Sequence, residues 1–160
     1  MNRTYKWLLV GFGLLLIGVL NQPKPLLLGK TPVDVIGSIT DETEIAAAID
    51  VIQQNLDAAT TKDIDTYVST LIETAQEESR TEIGQFFEDY SLEHTILEVK
   101  VVKQTPSEIM LKVSQQTVTQ PGQKQKKNYR NHISEANHTL IKEQGQWKIA
   151  ETAMSDTRFI

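Results

Sequence analysis

Apolar residues recur at helical spacing in three segments between residues 41 and 90. In "TDETEIAAAIDVIQQNLDAATTKD", apolar side chains three or four positions apart form one stripe, which is typical of a helix packed on a core. Asp41 followed by Glu44 resembles a capping box at the start of that helix. Shorter apolar stripes predict a second helix in "KDIDTYVSTLIETA" and a third in "TEIGQFFEDY".

After Tyr90 the apolar period changes to two, which is the period of a half-buried strand. "HTILEVKVVKQ" and "SEIMLKVSQQTVTQ" both alternate apolar and polar residues, and a third strand is predicted from about residue 127 to 142. The turn "EQGQ" then leads into "WKIAETAM". Three helices followed by four antiparallel strands predict an α+β domain with its helices packed on one face of a curved sheet.

The first twenty residues, "MNRTYKWLLVGFGLLLIGVL", have the pattern of an export signal. Arg3 and Lys6 precede an apolar run of 14 residues from Trp7 to Leu20, which is shorter than the roughly 20 residues of a full bilayer span. Because no small-x-small cleavage site follows, we expect an uncleaved signal anchor, with a cleaved signal peptide as the alternative. The basic start orients the rest of a bacterial chain to the outside of the cytoplasmic membrane.

Residues 21–40 contain three of the five prolines, so we expect a tether there and a domain at 41–160. Residues 1–30 contain four Lys or Arg and no acid, so a net charge of −5 for the whole chain leaves −9 on residues 31–160. Such an acidic body argues against nucleic-acid binding. The absence of cysteine excludes disulfides, thiolate metal sites and a cysteine nucleophile.

The segments "IDVIQQNLDAATTKDIDTYVSTL", "TEIGQFFEDY" and "HTLIKEQGQWKI" resemble the nuclear-transport-factor-2-like superfamily, also described as SnoaL-like or cystatin-like. The resemblance covers residues 42–155 and implies a cone in which a long helix closes a curved sheet. That fold hosts isomerases, dehydratases, polyketide cyclases and binding domains without catalysis. The enzymes use an aspartate, or an aspartate with a histidine, inside the cone, whereas the strands predicted here contain no aspartate before Asp156.

His132, Glu135 and His138 lie within seven positions, as in a metal site or an acid–base pair. A strand would separate the two histidines by about 20 Å, at ~3.3 Å per residue, and would turn Glu135 to the other face. We therefore predict neither a metal site nor a cofactor.

Candidate pocket residues are instead those with aromatic or ionisable side chains on predicted inward positions. They are Tyr67, Phe87, Tyr90, His138, Trp147 and Glu151.

The register of the last hairpin decides which of these side chains point inward. A three-residue loop pairs Ile141 with Ile149, turns His138 away and leaves Glu151 on the inner face. A two-residue loop at Gln144 and Gly145 turns His138 inward. We favour the three-residue loop, because it gathers more apolar side chains on one face.

We expect a membrane-tethered extracytoplasmic binding domain without catalysis, for a small apolar ligand or an envelope protein. The alternatives are an isomerase, dehydratase or cyclase that uses an acid or histidine in the cone, and a structural component of an envelope, secretion or conjugation assembly. A homodimer through the sheet is compatible with all three.

Overall fold

The computed structural model of the chain describes residues 24–28, 31–123 and 128–160. They form one sheet with three helices inserted between its second and third strands. The strands, in chain order and also in sheet order, are β1 (Lys24–Leu28), β2 (Thr31–Gly37), β3 (Leu92–Gln104), β4 (Glu108–Thr119), β5 (His132–Glu143) and β6 (Gln146–Phe159). Strand β2 runs parallel to β3, and the other neighbours are antiparallel. The predicted α+β class and the cone fold are confirmed.

The helices are α1 (Glu42–Thr61), α2 (Ile64–Ser69) and α3 (Glu73–Asp89). The Asp41 side chain caps α1 by accepting hydrogen bonds from the backbone N–H groups of Thr43 and Glu44, as predicted. The return half of a capping box is missing, because the Asp41 N–H donates to the Gln104 side chain instead.

The core lies between α1 and the inner face of the sheet. Its fully buried side chains include Ile45 and Ile49 of α1 and Ile109, Leu111 and Val113 of β4. At about 25 cal/mol for each Å² of apolar surface removed from water, this burial is the main source of stability. The alternation predicted for β4 is therefore confirmed.

The segment expected to be a tether contributes two strands to the sheet. Val33 and Val35 are 3% and 1% exposed and belong to the core, and β2 pairs with the middle of β3. Residues 31–37 of the predicted tether are therefore part of the sheet. The alternation in "PVDVI" is a strand pattern, which the proline content obscured.

The favoured hairpin register is also wrong. Leu140 pairs with Ile149, and the two-residue loop consists of Gln144 and Gly145. Both loop residues have positive φ, 51° and 80°, which is the backbone of a two-residue hairpin turn whose twist matches the strands. This register turns His138 toward the helices, where it is 5% exposed.

Among the described residues, no helix is long and apolar enough to cross a membrane. The predicted signal anchor at residues 1–20 lies outside the described residues.

Candidate functional site

A group of uncharged polar side chains interrupts the apolar inner face of the sheet. We call this group the inner polar patch, and its members are His94 of β3, Gln115 and Thr117 of β4, and Ser134 and His138 of β5. Thr117, Ser134 and His138 are 2%, 1% and 5% exposed, so these groups have left water almost completely. A buried polar atom needs a hydrogen-bond partner, or its burial costs roughly 1–3 kcal/mol.

Three buried side-chain atoms of the described residues have no hydrogen-bond partner, and all three belong to the inner polar patch. They are Gln115 Oε1, Ser134 Oγ and His138 Nε2. Gln115 and Ser134 are direct partners in the β4–β5 register, and His138 lies four residues farther along β5. The patch therefore keeps an amide oxygen, a hydroxyl and an imidazole nitrogen away from solvent and without a hydrogen-bond partner.

His138 is fixed by a bond to the neighbouring strand. Its Nδ1 lies 2.9 Å from Thr152 Oγ1 of β6, so Nε2 is the atom that stays free. Burial lowers the pKa of His138 to about 4, because the charged ring would lose its hydration. The imidazole is therefore neutral at physiological pH, and Nε2 is either a donor or an acceptor according to the tautomer.

His94 is a second neutral imidazole in the patch. Its Nδ1 lies 3.0 Å from Thr117 Oγ1. Burial, and to a lesser extent the nearby charge of His132, lowers the pKa of His94 to about 4. The patch thus contains two histidines and no net charge at neutral pH.

A row of rings closes one end of the inner face. We call it the aromatic row, and in order it contains Phe86, Tyr90, Tyr129, His132 and Phe159. Successive ring centroids are 5.0, 5.3, 5.7 and 6.2 Å apart, which is the range of favourable ring contacts. The guanidinium of Arg130 lies 3.7 Å above the Phe159 ring. The row is partly accessible, with Phe86 37% and Phe159 50% exposed.

Two of the predicted pocket residues, Tyr67 and Phe87, contact each other between α2 and α3. Their ring centroids are 6.0 Å apart in an edge-to-face arrangement, and Phe87 is 5% exposed. Burial raises the pKa of Tyr67, so its phenol stays neutral. This pair packs the helices together.

Trp147 lies at the other end of the sheet, beside the last hairpin. Its Nε1 donates to Glu44 Oε2 at 2.6 Å, and Lys142 Nζ donates to Glu44 Oε1 at 2.8 Å. These bonds join the hairpin to α1 and lower the pKa of Glu44, Lys142 having the larger effect and Trp147 the smaller. The three residues line a groove of about 630 Å³ between α1 and the hairpin.

The remaining predicted residues are dispersed. Tyr90 belongs to the aromatic row, His138 to the inner polar patch, and Glu151 is exposed on the outer face opposite Thr139. An inward Glu151 was expected from the favoured register and is therefore corrected. Among the described residues, no three His, Cys, Asp or Glu side chains are placed to hold a metal ion.

Sequence patterning did not single out Gln115, Thr117, Ser134 or His94. Their inward direction could have been predicted, because residues an even number of positions apart on a strand point to the same face. Ser134 therefore shares a face with Leu140 on β5, and Gln115 with Leu111 on β4. A polar residue that continues an apolar face was the feature to look for.

The chain has the nuclear-transport-factor-2-like, or cystatin-like, fold. A cystatin-like protein of unknown function from Nostoc punctiforme superimposes with a TM-score of 0.57 at 11% identity, over 73% of this chain and 91% of that one. A nuclear-transport-factor-2-like protein of unknown function from Pseudomonas putida gives 0.57 at 11% identity, over 71% and 84%. A structure from Novosphingobium aromaticivorans named for scytalone dehydratase gives 0.55 at 14% identity, over 73% and 87%.

Residues 50–160 match the family model of the C-terminal domain of the anti-sigma-I factor RsgI9. The match covers more than half of the chain, and the chain belongs to this family. Among curated proteins, no sequence matches the chain.

Proposed function

We propose that the chain is a membrane-tethered, extracytoplasmic binding domain without catalytic activity, and that its ligand is a small, uncharged and largely apolar molecule held at the inner polar patch. The observation that carries this proposal is the coincidence of the three unpartnered buried atoms, Gln115 Oε1, Ser134 Oγ and His138 Nε2, on one face of two neighbouring strands. At ~3.3 Å per residue, His138 lies about 13 Å along β5 from Ser134, so one ligand hydroxyl or carbonyl would partner either the Gln115–Ser134 pair or His138 Nε2.

The charge of the patch supports an uncharged ligand. Its two histidines are neutral, and the buried polar residues of the described chain include no aspartate or glutamate. A cationic ligand would lack a counter-charge there, and an anionic ligand would meet two neutral rings. The enzymes that this fold resembles use an aspartate, or an aspartate with a histidine, inside the cone, whereas the hydrogen-bond partner of His138 among the described residues is Thr152.

The direction of the strands supports a site that faces away from the membrane. Strand β1 runs antiparallel to β2, so its first residue, Lys24, lies toward the end of the sheet that carries the turn at residues 105–107. An anchor at residues 1–20 would join the domain at that end. The aromatic row lies at the opposite end, beside the start of β5.

The family supports a regulatory role. Its model is named for the C-terminal domain of an anti-sigma-I factor, that is, of a protein that regulates a sigma factor. A domain outside the membrane that binds a small molecule would give such a regulator an external input.

The test uses residues 24–160, without the apolar segment, and 2-naphthol as a neutral aromatic probe with one hydroxyl. Isothermal titration calorimetry measures Kd for the wild type and for Ser134→Ala and Gln115→Leu. Loss of one hydrogen bond, worth about 0.5–1.5 kcal/mol, weakens binding roughly 2- to 10-fold. The matched controls are Ser114→Ala and Gln116→Leu, which remove the same groups from the outer face of β4.

Binding that is weakened by the inner variants and not by the outer ones supports the site. Equal Kd values in both pairs, or no heat of binding up to the solubility limit of 2-naphthol, contradict it.

A further inference from the structure

The last strand has one side that no described strand covers. At its start, Ile149 is paired on that side, because its N–H donates to Thr70 O at 2.9 Å and its carbonyl accepts from Ile72 N at 3.1 Å. Beyond that point the chain from 151 to 159 is paired only with β5, and every residue is exposed. We call residues 151–159 the free edge.

We propose that the free edge pairs with the free edge of a second copy of this chain, antiparallel and about a twofold axis that passes between Met154 and Ser155. The two sheets would then form one continuous sheet through an isologous interface. This inference concerns the free edge of β6 and is independent of any ligand at the inner polar patch.

Charge complementarity carries the proposal. In this register Glu151 lies opposite Arg158 of the other copy, and the twofold axis repeats the pair. Opposite charges directly across two strands stabilise pairing, whereas like charges oppose it.

A β-bulge makes the charge match possible. Residues seven positions apart in a regular strand point to opposite faces. The register with β5 shifts by one at Ser155, so that Glu151 lies opposite Thr139 and Arg158 opposite Ile133, both on the outer face. The two charges therefore share a face, as the pairing requires.

The other positions are compatible with the same register. Thr152 lies opposite Thr157 of the other copy, and both point to the inner face, where β-branched pairs are favourable. Near the axis, Met154 is 53% exposed, and a long uncovered edge with exposed apolar side chains invites strand pairing. The second copy would cover both.

The test is disulfide crosslinking of residues 1–160, and the absence of cysteine from this sequence makes single-cysteine variants unambiguous. Met154→Cys lies beside the axis, so a mild oxidant should convert most of it to a covalent dimer on a non-reducing gel. In that background Glu151→Arg or Arg158→Glu should lower the dimer fraction at least fivefold. The double charge reversal should restore it, as should co-expression of the two single reversals.

The control is Val102→Cys on β3, which is 55% exposed and reports packing through the sheet face. The proposal is overturned if Met154→Cys crosslinks no faster than Val102→Cys, if both single reversals keep the dimer, or if the double reversal stays monomeric. Because both charged side chains are exposed, their replacement leaves the fold intact. The crosslinking experiment uses no ligand, so it can fail or succeed independently of the 2-naphthol titration.

Discussion

The buried neutral state of His138 predicts that the protein loses stability at mildly acidic pH. The ring has a pKa of about 4 in the folded chain and 6.5 when unfolded, because burial removes the hydration of its charged form. Its stabilising contribution is therefore complete above pH 6.5 and is lost as the pH falls toward 4, since the unfolded chain takes up the proton first.

The expected loss follows from the two pKa values. Each pH unit below 6.5 favours the unfolded chain by about 1.4 kcal/mol, so that His138 alone destabilises the protein by about 2 kcal/mol between pH 7 and pH 5. His94 has a pKa of about 4 for the same reason and adds a similar amount. The lowered carboxyl pKa values of Glu44 and Asp63 affect stability only below their ordinary values of 4.5 and 3.8.

Urea denaturation of residues 24–160 at pH 7, 6 and 5 measures this effect. The wild type should lose about 4 kcal/mol of unfolding free energy over that range, and His138→Gln about half as much. The difference between these two losses measures the contribution of the His138 ring, even if the substitution itself lowers stability at every pH. If the unfolding free energy changed equally with pH in the wild type and in His138→Gln, the assignment of a buried, neutral His138 would be refuted.

Three substitutions test the packing. Gly37→Ala should destabilise the protein by about 1–3 kcal/mol, because Gly37 has φ +111° and an added Cβ would lie 2.5 Å from Val101 O. Gly84→Ala in α3 should stabilise it by about 0.5–1 kcal/mol, because alanine favours the helix and the added Cβ would meet only Ile64 at 3.7 Å. Both are checked by thermal denaturation. Thr70→Val should cost about 1–3 kcal/mol in the same assay, because it removes the 2.8 Å bond from the buried Asn55 amide and leaves only the 3.5 Å contact with Tyr67 O. An unchanged Tm would show that the contact with Tyr67 O is sufficient.

The helices and the main strands were predictable because their periods are local. The stripe of α1 and the alternation of β4 depend only on the side of each element that meets the core. In other strands, β-bulges interrupt the alternation of inward and outward side chains. The alternation in "HTILEVKVVKQ" places Leu97 on the same face as Val99, yet Leu97 is 42% exposed and Ile96 is buried, because the β3–β4 register shifts between Ile96 and Glu98.

The site was harder to predict because its partners are distant in sequence. His138 was identified as a candidate, but its inward direction depended on a two-residue turn at Gln144 and Gly145 that apolar counting did not favour. The bond between Glu44 and Trp147 joins residues 103 positions apart. No local pattern encodes such a pair.

The most direct test of the binding proposal is the imidazole nitrogen spectrum of His138 in ¹⁵N-labelled residues 24–160, recorded with and without saturating 2-naphthol. We predict that the Nε2 resonance of His138 shifts as the bound probe contacts the imidazole, and that Nδ1 changes little because its contact with Thr152 persists. Binding of 2-naphthol with an unchanged Nε2 resonance would contradict the assignment of the inner polar patch as the ligand site.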